Sequence, residues 1–171
     1  MEFIDVYKDQ FEKTDLTVVR KTALPKDHYG IIVFACIFDS EGRMLIQQRA
    51  RNKSWAGIWD VSVGGAVISG ETSHQAVVRE TFEELGVTLD QERFVKMFSL
   101  YYDTSIHDIY NLVLEADEHY DFNVPNEEVA EIRWASEEEI LDMIDAGTFL
   151  PVLKEFIHLL FRMKTKKGIL A

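Results

Sequence analysis

From Ile31 to Phe38 the chain reads Ile-Ile-Val-Phe-Ala-Cys-Ile-Phe, with no polar residue. Bounded by Gly30 and by Asp39-Ser40-Glu41-Gly42, this β-branched and aromatic run predicts a buried strand closed by a turn. It is too short to cross a membrane as a helix. Met44–Arg49 is its expected hairpin partner, Asn52–Gly57 a loop, and Trp59–Val63 a half-buried strand that Gly64 and Gly65 then break. Upstream, Phe3–Tyr7 and Leu16–Arg20 read as a strand pair, with Pro25 and Gly30 marking a linker. Downstream come strands near Arg93–Tyr102, Tyr110–Ala116 and Ile132–Ala135, and helices over Ser136–Ile144 and Pro151–Lys164. Strands interleaved with a central and a late helix predict an α+β or α/β sandwich.

The 171 residues are enough for one domain with its own core. At 47% hydrophobic and 28% charged, the composition is that of a folded chain rather than a disordered one. The net charge of −12 argues against binding to a nucleic-acid polymer or an anionic membrane surface, both of which need clustered positive charge. It leaves room for a small phosphorylated substrate, because a bound divalent cation inverts the local charge. Cys36 is the single cysteine, so no internal disulfide can form and a cytoplasmic location is expected. The first residues, MEFIDVYKD, do not read as a secretory leader.

The strongest helix signal lies between Thr72 and Gly86. Thr72 with Gln75 predicts a capping box, and Gly86 a C-terminal stop. At about 100° per residue, Glu80, Glu83 and Glu84 share one sector. Val77, Val78, Thr81, Phe82 and Leu85 form a separate stripe for the sheet, so Phe82→Ala is expected to cost about 3–5 kcal/mol if the ring is fully buried. Acids at i,i+4 repel by a few tenths of a kcal/mol. A hard cation such as Mg²⁺, which takes carboxylate oxygens while bridging to phosphate, would explain their grouping. Arg79 could hold one of them through a bidentate bond. The glycines before the helix allow close backbone approach and could turn a carbonyl toward the same ion. On these residues alone, a metal site and an ordinary solvated acidic face both stay open.

Gly65, Glu71, Arg79-Glu80, Thr81, Phe82, Glu83-Glu84, Leu85, Gly86 and Val87 resemble the signature box of the Nudix hydrolase family. Every fixed position matches across 23 residues, with Thr81 where a hydrophobic residue is usual. The likeness extends over roughly Tyr29 to Leu150. It takes in the Leu45–Arg49 strand, Trp55, Gly57 and Trp59-Asp60 before the box, and Glu127-Glu128-Val129 and Trp134 after it. Residues 1–28 look like the N-terminal extension of a subgroup similar to isopentenyl-diphosphate isomerase, leaving 29–171 as the main domain.

The resemblance implies an α/β/α sandwich with a mixed sheet, its box forming a loop–helix–loop. It implies Mg²⁺ or Mn²⁺ on Glu80, Glu83 and Glu84, with the Gly64 carbonyl as a further ligand. Arg79 would orient a glutamate, while Gly65, Glu71 and Gly86 support the box. Glu128, rather than Glu127, corresponds to a downstream acid that completes the site or activates water. The implied reaction is hydrolysis of a diphosphate linkage in a nucleotide-like substrate, and the family suggests a homodimer. Two other functions compete with hydrolysis. A non-catalytic nucleotide sensor tends to lose box acids, which are kept here. The isomerase depends on a cysteine near the strand before the box, and Trp59–Gly65 has none.

Trp55, Trp59, Tyr101 and Tyr102 are the aromatic candidates for stacking a base, although packing is their commoner use; of these, Trp55, Trp59 and Tyr102 are the substrate-binding candidates. Cys36, inside an apolar strand, reads as an inert small hydrophobe. His28, His74, His107, His119 and His158 show no metal-ligand spacing and read as surface or loop residues. The run Lys164-Thr165-Lys166-Lys167 reads as a solvated helix end.

Overall fold

Alternation along the first long apolar strand divides the molecule into two cores. In the computed structural model, which describes residues 1–165, this strand is Gly30–Phe38 (β3, after β1 Phe3–Tyr7 and β2 Lys13–Val19). Ile31, Val33, Ala35 and Ile37 enter one core, Cys36 and Phe38 the other. A strand buried on both faces must be covered by a layer on each side. The helix α1, Ser73–Leu85, covers the first face through Ala76, Val77 and Leu85. The second is covered by α2, Glu137–Asp145, through Ile140, and by α3, Lys154–Met163, through Ile157, Leu160 and Phe161. The fold is an α/β/α sandwich.

The remaining strands are β4 Met44–Arg49, β5 Trp59–Asp60, β6 Val63–Ala66, β7 Val95–Tyr102, β8 Ser105–Val113 and β9 Val129–Ala135. The order is β5-β4-β3-β8-β7, with β6 also on β3 and β9 also on β4. β3 and β8 run parallel in register from Gly30↔Ser105 to Phe38↔Val113, while β6 is antiparallel to β3. The sheet is therefore mixed. β1 and β2 form a separate two-stranded hairpin, tied to the main sheet by the bridge Tyr7↔Tyr29. No helix of the described residues is long and apolar enough to cross a membrane.

Several expectations need correction. Trp59–Val63 is not one strand: Val61 and Ser62 separate β5 from β6. Ser62 is turned into the core, where its hydroxyl donates to the Leu45 carbonyl and accepts from the Ile37 N–H. Gly64 and Gly65 do not break the pattern; they are strand residues paired with Phe34 and Val33. β8 begins at Ser105, so the segment 102–107 is a tight hairpin, and His107 is a half-buried strand residue. β2 begins at Lys13 rather than Leu16, and α3 at Lys154 rather than Pro151. Lys164 is not simply solvated, since its ammonium donates to the Gly42 carbonyl at 3.1 Å. Lys166 and Lys167 lie outside the described residues.

Candidate active site

The ends of α1 form as the sequence predicts. Thr72 and Gln75 make a reciprocal capping box, and Gly86 takes a left-handed φ of 74° at the C-terminus. The turn also needs glycine for space, because a Cβ there would lie 2.3 Å from Asn123 Cβ. With both ends fixed, the rotation of the helix about its axis decides where the acids point.

That rotation differs from the expected one. Glu80 and Glu84 are buried, at 5% and 3% exposure, beside Val77, Thr81 and Leu85. Phe82, placed on the apolar stripe, is 57% exposed. The inner face of α1 meets β6, where Gly65 leaves room for a carboxylate that a larger strand residue would exclude. A Cβ on Gly65 would fall 1.9 Å from the Glu80 carboxyl carbon. Glu84 accepts from the Gly64 N–H at 3.0 Å and from the Gln47 amide at 2.8 Å.

Arg79 organises the other acids. Its Nε and Nη2 donate to the two oxygens of Glu71, both at 2.9 Å, in the fork geometry that favours arginine over lysine. Nη1 donates to Glu80 at 2.8 Å and to Glu83 at 3.0 Å, and Nη2 also reaches the Ala66 carbonyl. Glu71 in turn accepts from the Ile68 N–H, which ties the loop before α1 to the arginine. Among the described residues, no three His, Cys, Asp or Glu side chains surround a common point. The acids are held instead by these protein donors.

Electrostatics sets the acids apart. Burial pushes the Glu84 carboxyl up to about 8 against the pull of its Gly64 and Gln47 bonds, with Glu80 and Asp60 adding repulsion. Burial also raises Glu80, opposed by Arg79 and reinforced by Glu83. Glu83 keeps 46% of its side chain exposed. Two buried acids beside a third, with one guanidinium among them, form a set of hard oxygen donors short of positive charge, which suits a divalent cation.

Glu128 lies in the loop before β9, where Lys53 pairs with it at 2.8 Å. Asn126 fixes that loop: its side chain accepts from the Glu128 N–H and donates to the Glu84 carbonyl at the end of α1. Asn126 and Gln47 were not foreseen. Gln47 carried a weak signal, as the amide that follows Met44-Leu45-Ile46 in β4, since a buried amide needs a polar partner. Asn126 carried none. The aromatic candidates are spread out. Trp59 pairs with Gln48 at one edge of the strand order and lies under the Arg133 guanidinium, 5.2 Å from its ring centroid. Tyr102 is exposed on β7 at the other edge, and Trp55 is exposed in a turn.

Known proteins share the family and the fold of this chain. A NUDIX domain model matches residues 28–160. An uncharacterised Nudix hydrolase of Listeria innocua is 34% identical over 170 residues, covering 99% of each chain. An isopentenyl-diphosphate Delta-isomerase of Brevibacterium linens is 32% identical over 137 residues, 72% of each chain. A Deinococcus radiodurans protein of known crystal structure superposes with a TM-score of 0.74 at 26% identity, covering 96% of this chain and 100% of the other.

Proposed function

This chain belongs to the Nudix hydrolase family, and on that premise we propose that it hydrolyses a diphosphate linkage in a small nucleotide-like substrate with Mg²⁺ or Mn²⁺. The observation that carries the reading is the arrangement on α1, where Glu80, Glu83 and Glu84 are set by Arg79 and by the glycines of β6. Glu80, Glu83 and Glu84 would hold the ion, with the Gly64 carbonyl as a further donor and Glu128 reaching in from the loop before β9. A divalent cation held there would supply positive charge to the substrate phosphates and a lower pKa for the attacking water.

The chain's own residues do the rest. Glu71 keeps the Arg79 fork in one orientation, and Arg79 in turn keeps the Glu80 and Glu83 carboxylates aimed. Glu83, the most solvent-exposed of the three, is best placed to take the proton from water and return it to solvent. Cys36 takes no part. It is buried in β3, and burial drives its thiol well above the ordinary range, so it cannot supply the accessible cysteine an isomerase of this family would need. A cytoplasmic location and a homodimeric state belong to the same reading.

The test is release of phosphate or nucleotide from a panel of diphosphate compounds with Mg²⁺, Mn²⁺ or EDTA, run beside Glu83→Gln. Metal-dependent turnover that the variant loses is the expected result. Metal-dependent binding without turnover would instead mark a sensor, and equal turnover in the variant would remove Glu83 from the mechanism.

A further inference from the structure

We propose that the N-terminal hairpin, through Asp5, is a brace for the catalytic loop, and that Asp5 is a positioning residue for the acids of α1. The first 27 residues fall outside the family-matched segment 28–160. Yet the hairpin they form supplies hydrogen bonds that the loop between β6 and α1 does not make for itself.

The Val67 N–H goes to the Ile31 carbonyl of β3. The Ile68 N–H goes to the Glu71 carboxylate, and the Glu71 N–H returns to the Ile68 carbonyl. The two between them leave the loop: Ser69 N–H donates to the Phe3 carbonyl at 2.8 Å, and Gly70 N–H to Asp5 Oδ2 at 3.0 Å. The Ser69 hydroxyl adds a 2.8 Å bond to Asp5 Oδ1. Glu71, next in the chain, is the residue that holds both oxygens against Arg79. Movement of 69–70 is therefore passed to Arg79, and from it to Glu80 and Glu83.

Asp5 is built for this position. It is 6% exposed and accepts from four donors: Gly70, Ser69, Thr17 and the Lys13 ammonium, the last at 2.6 Å. Burial alone would raise its carboxyl, but these donors hold it well below the usual carboxylate range. Thr17 and Lys13 stand on β2, so the carboxylate also ties the two hairpin strands together. Two of the donors are hydroxyls, both on Oδ1, and a hydroxyl can reverse its role. An asparagine could thus keep its oxygen toward Gly70 and Lys13 and turn its amide toward Ser69 and Thr17. Alanine could keep none of these bonds.

The experiment compares wild type, Asp5→Ala, Asp5→Asn and Thr14→Val, the last removing a hydroxyl that bonds only within the hairpin, to Val6 and Leu16. Amide exchange of the 67–71 segment reads the loop, and Mn²⁺ titration followed by electron paramagnetic resonance reads the acids. Asp5→Ala should speed exchange at Ser69 and Gly70 by about tenfold or more and weaken Mn²⁺ binding several-fold. Asp5→Asn should recover most of both, and Thr14→Val should match wild type. Unchanged exchange in Asp5→Ala, or equal damage from Thr14→Val, overturns the brace. If Asp5→Ala does not fold, Ser69→Ala decides in its place: faster exchange at Gly70 supports the brace, and unchanged exchange rejects it. The Mn²⁺ arm rests on the metal-dependent reading above. A wild-type protein that binds no Mn²⁺ would sink that reading, while the exchange arm still judges the brace alone.

Discussion

Position 65 and Glu80 compete for one space, since a Cβ on Gly65 would lie 1.9 Å from the Glu80 carboxyl carbon. Non-bonded atoms cannot approach so closely, so a methyl group there must expel the carboxylate or part β6 from α1. The Gly65→Ala protein should keep its fold, because Val77 and Leu85 still anchor the helix. Its kcat should drop by about 10²-fold, the scale of an ångström-level misplacement of a reacting group. Steady-state kinetics beside a thermal melt checks this, and a wild-type kcat would mean that the position of Glu80 does not matter.

Stability without metal should depend on pH through Glu84. Its carboxyl is pushed up to about 8 by burial from an ordinary 4.5, and Glu80 moves the same way. The native state then keeps a proton that the unfolded chain releases. This contribution is complete below the unfolded value and is lost as pH rises toward the folded one. In EDTA, stability should fall by up to ~1.4 kcal/mol per pH unit across that window. Glu84→Gln should flatten the slope, and divalent metal should oppose it by binding the ionised acid. Denaturant titrations at several pH values test the point, and parallel slopes in wild type and variant would contradict it.

Phe82 and Leu85, which periodicity alone puts on one apolar stripe, should differ in what they contribute to stability. Phe82 is mostly exposed, whereas Leu85 is fully buried in the core beneath α1. Phe82→Ala should shift stability by about 0.5 kcal/mol or less, and Leu85→Ala should cost about 2–5 kcal/mol. Equilibrium unfolding of the two variants measures both. A large loss for Phe82→Ala would mean that its ring is covered in solution.

Cys36 should behave as packing. Its thiol is buried between residues of the second core, and burial raises its pKa. Thiol reagents should label it only as fast as the protein opens, and Cys36→Ala should keep turnover in whatever remains folded. Rapid labelling of the native protein would contradict this placement.

The helix of the box was legible in fine detail. Thr72, Gln75 and Gly86 act locally, through hydrogen bonds and a backbone conformation confined to a few residues, so their pattern is visible without the rest of the chain. Ile31–Phe38 was legible for a similar reason, because an unbroken apolar run can only be buried. Less was readable at Trp59–Gly65. Glycine usually signals a break, but here β6 keeps two of them as strand residues, because the Glu80 carboxylate fills the space beside Gly65 and the Phe34 ring the space beside Gly64.

The sequence by itself determined the family, the sandwich of layers and the grouping of three acids with an arginine on one helix. These depend on spacing along the chain, which periodicity and capping express directly. Only the tertiary structure decided which acids turn inward. Angles around a helix are relative until a neighbour fixes its rotation, and here the neighbour is a glycine strand able to accept carboxylates. It also decided that Gln47 and Asn126 bond to the box helix and Asp5 to the loop before it. Their partners lie 37, 42 and 65 residues away in Glu84 and Gly70, and no local pattern records a contact across that separation.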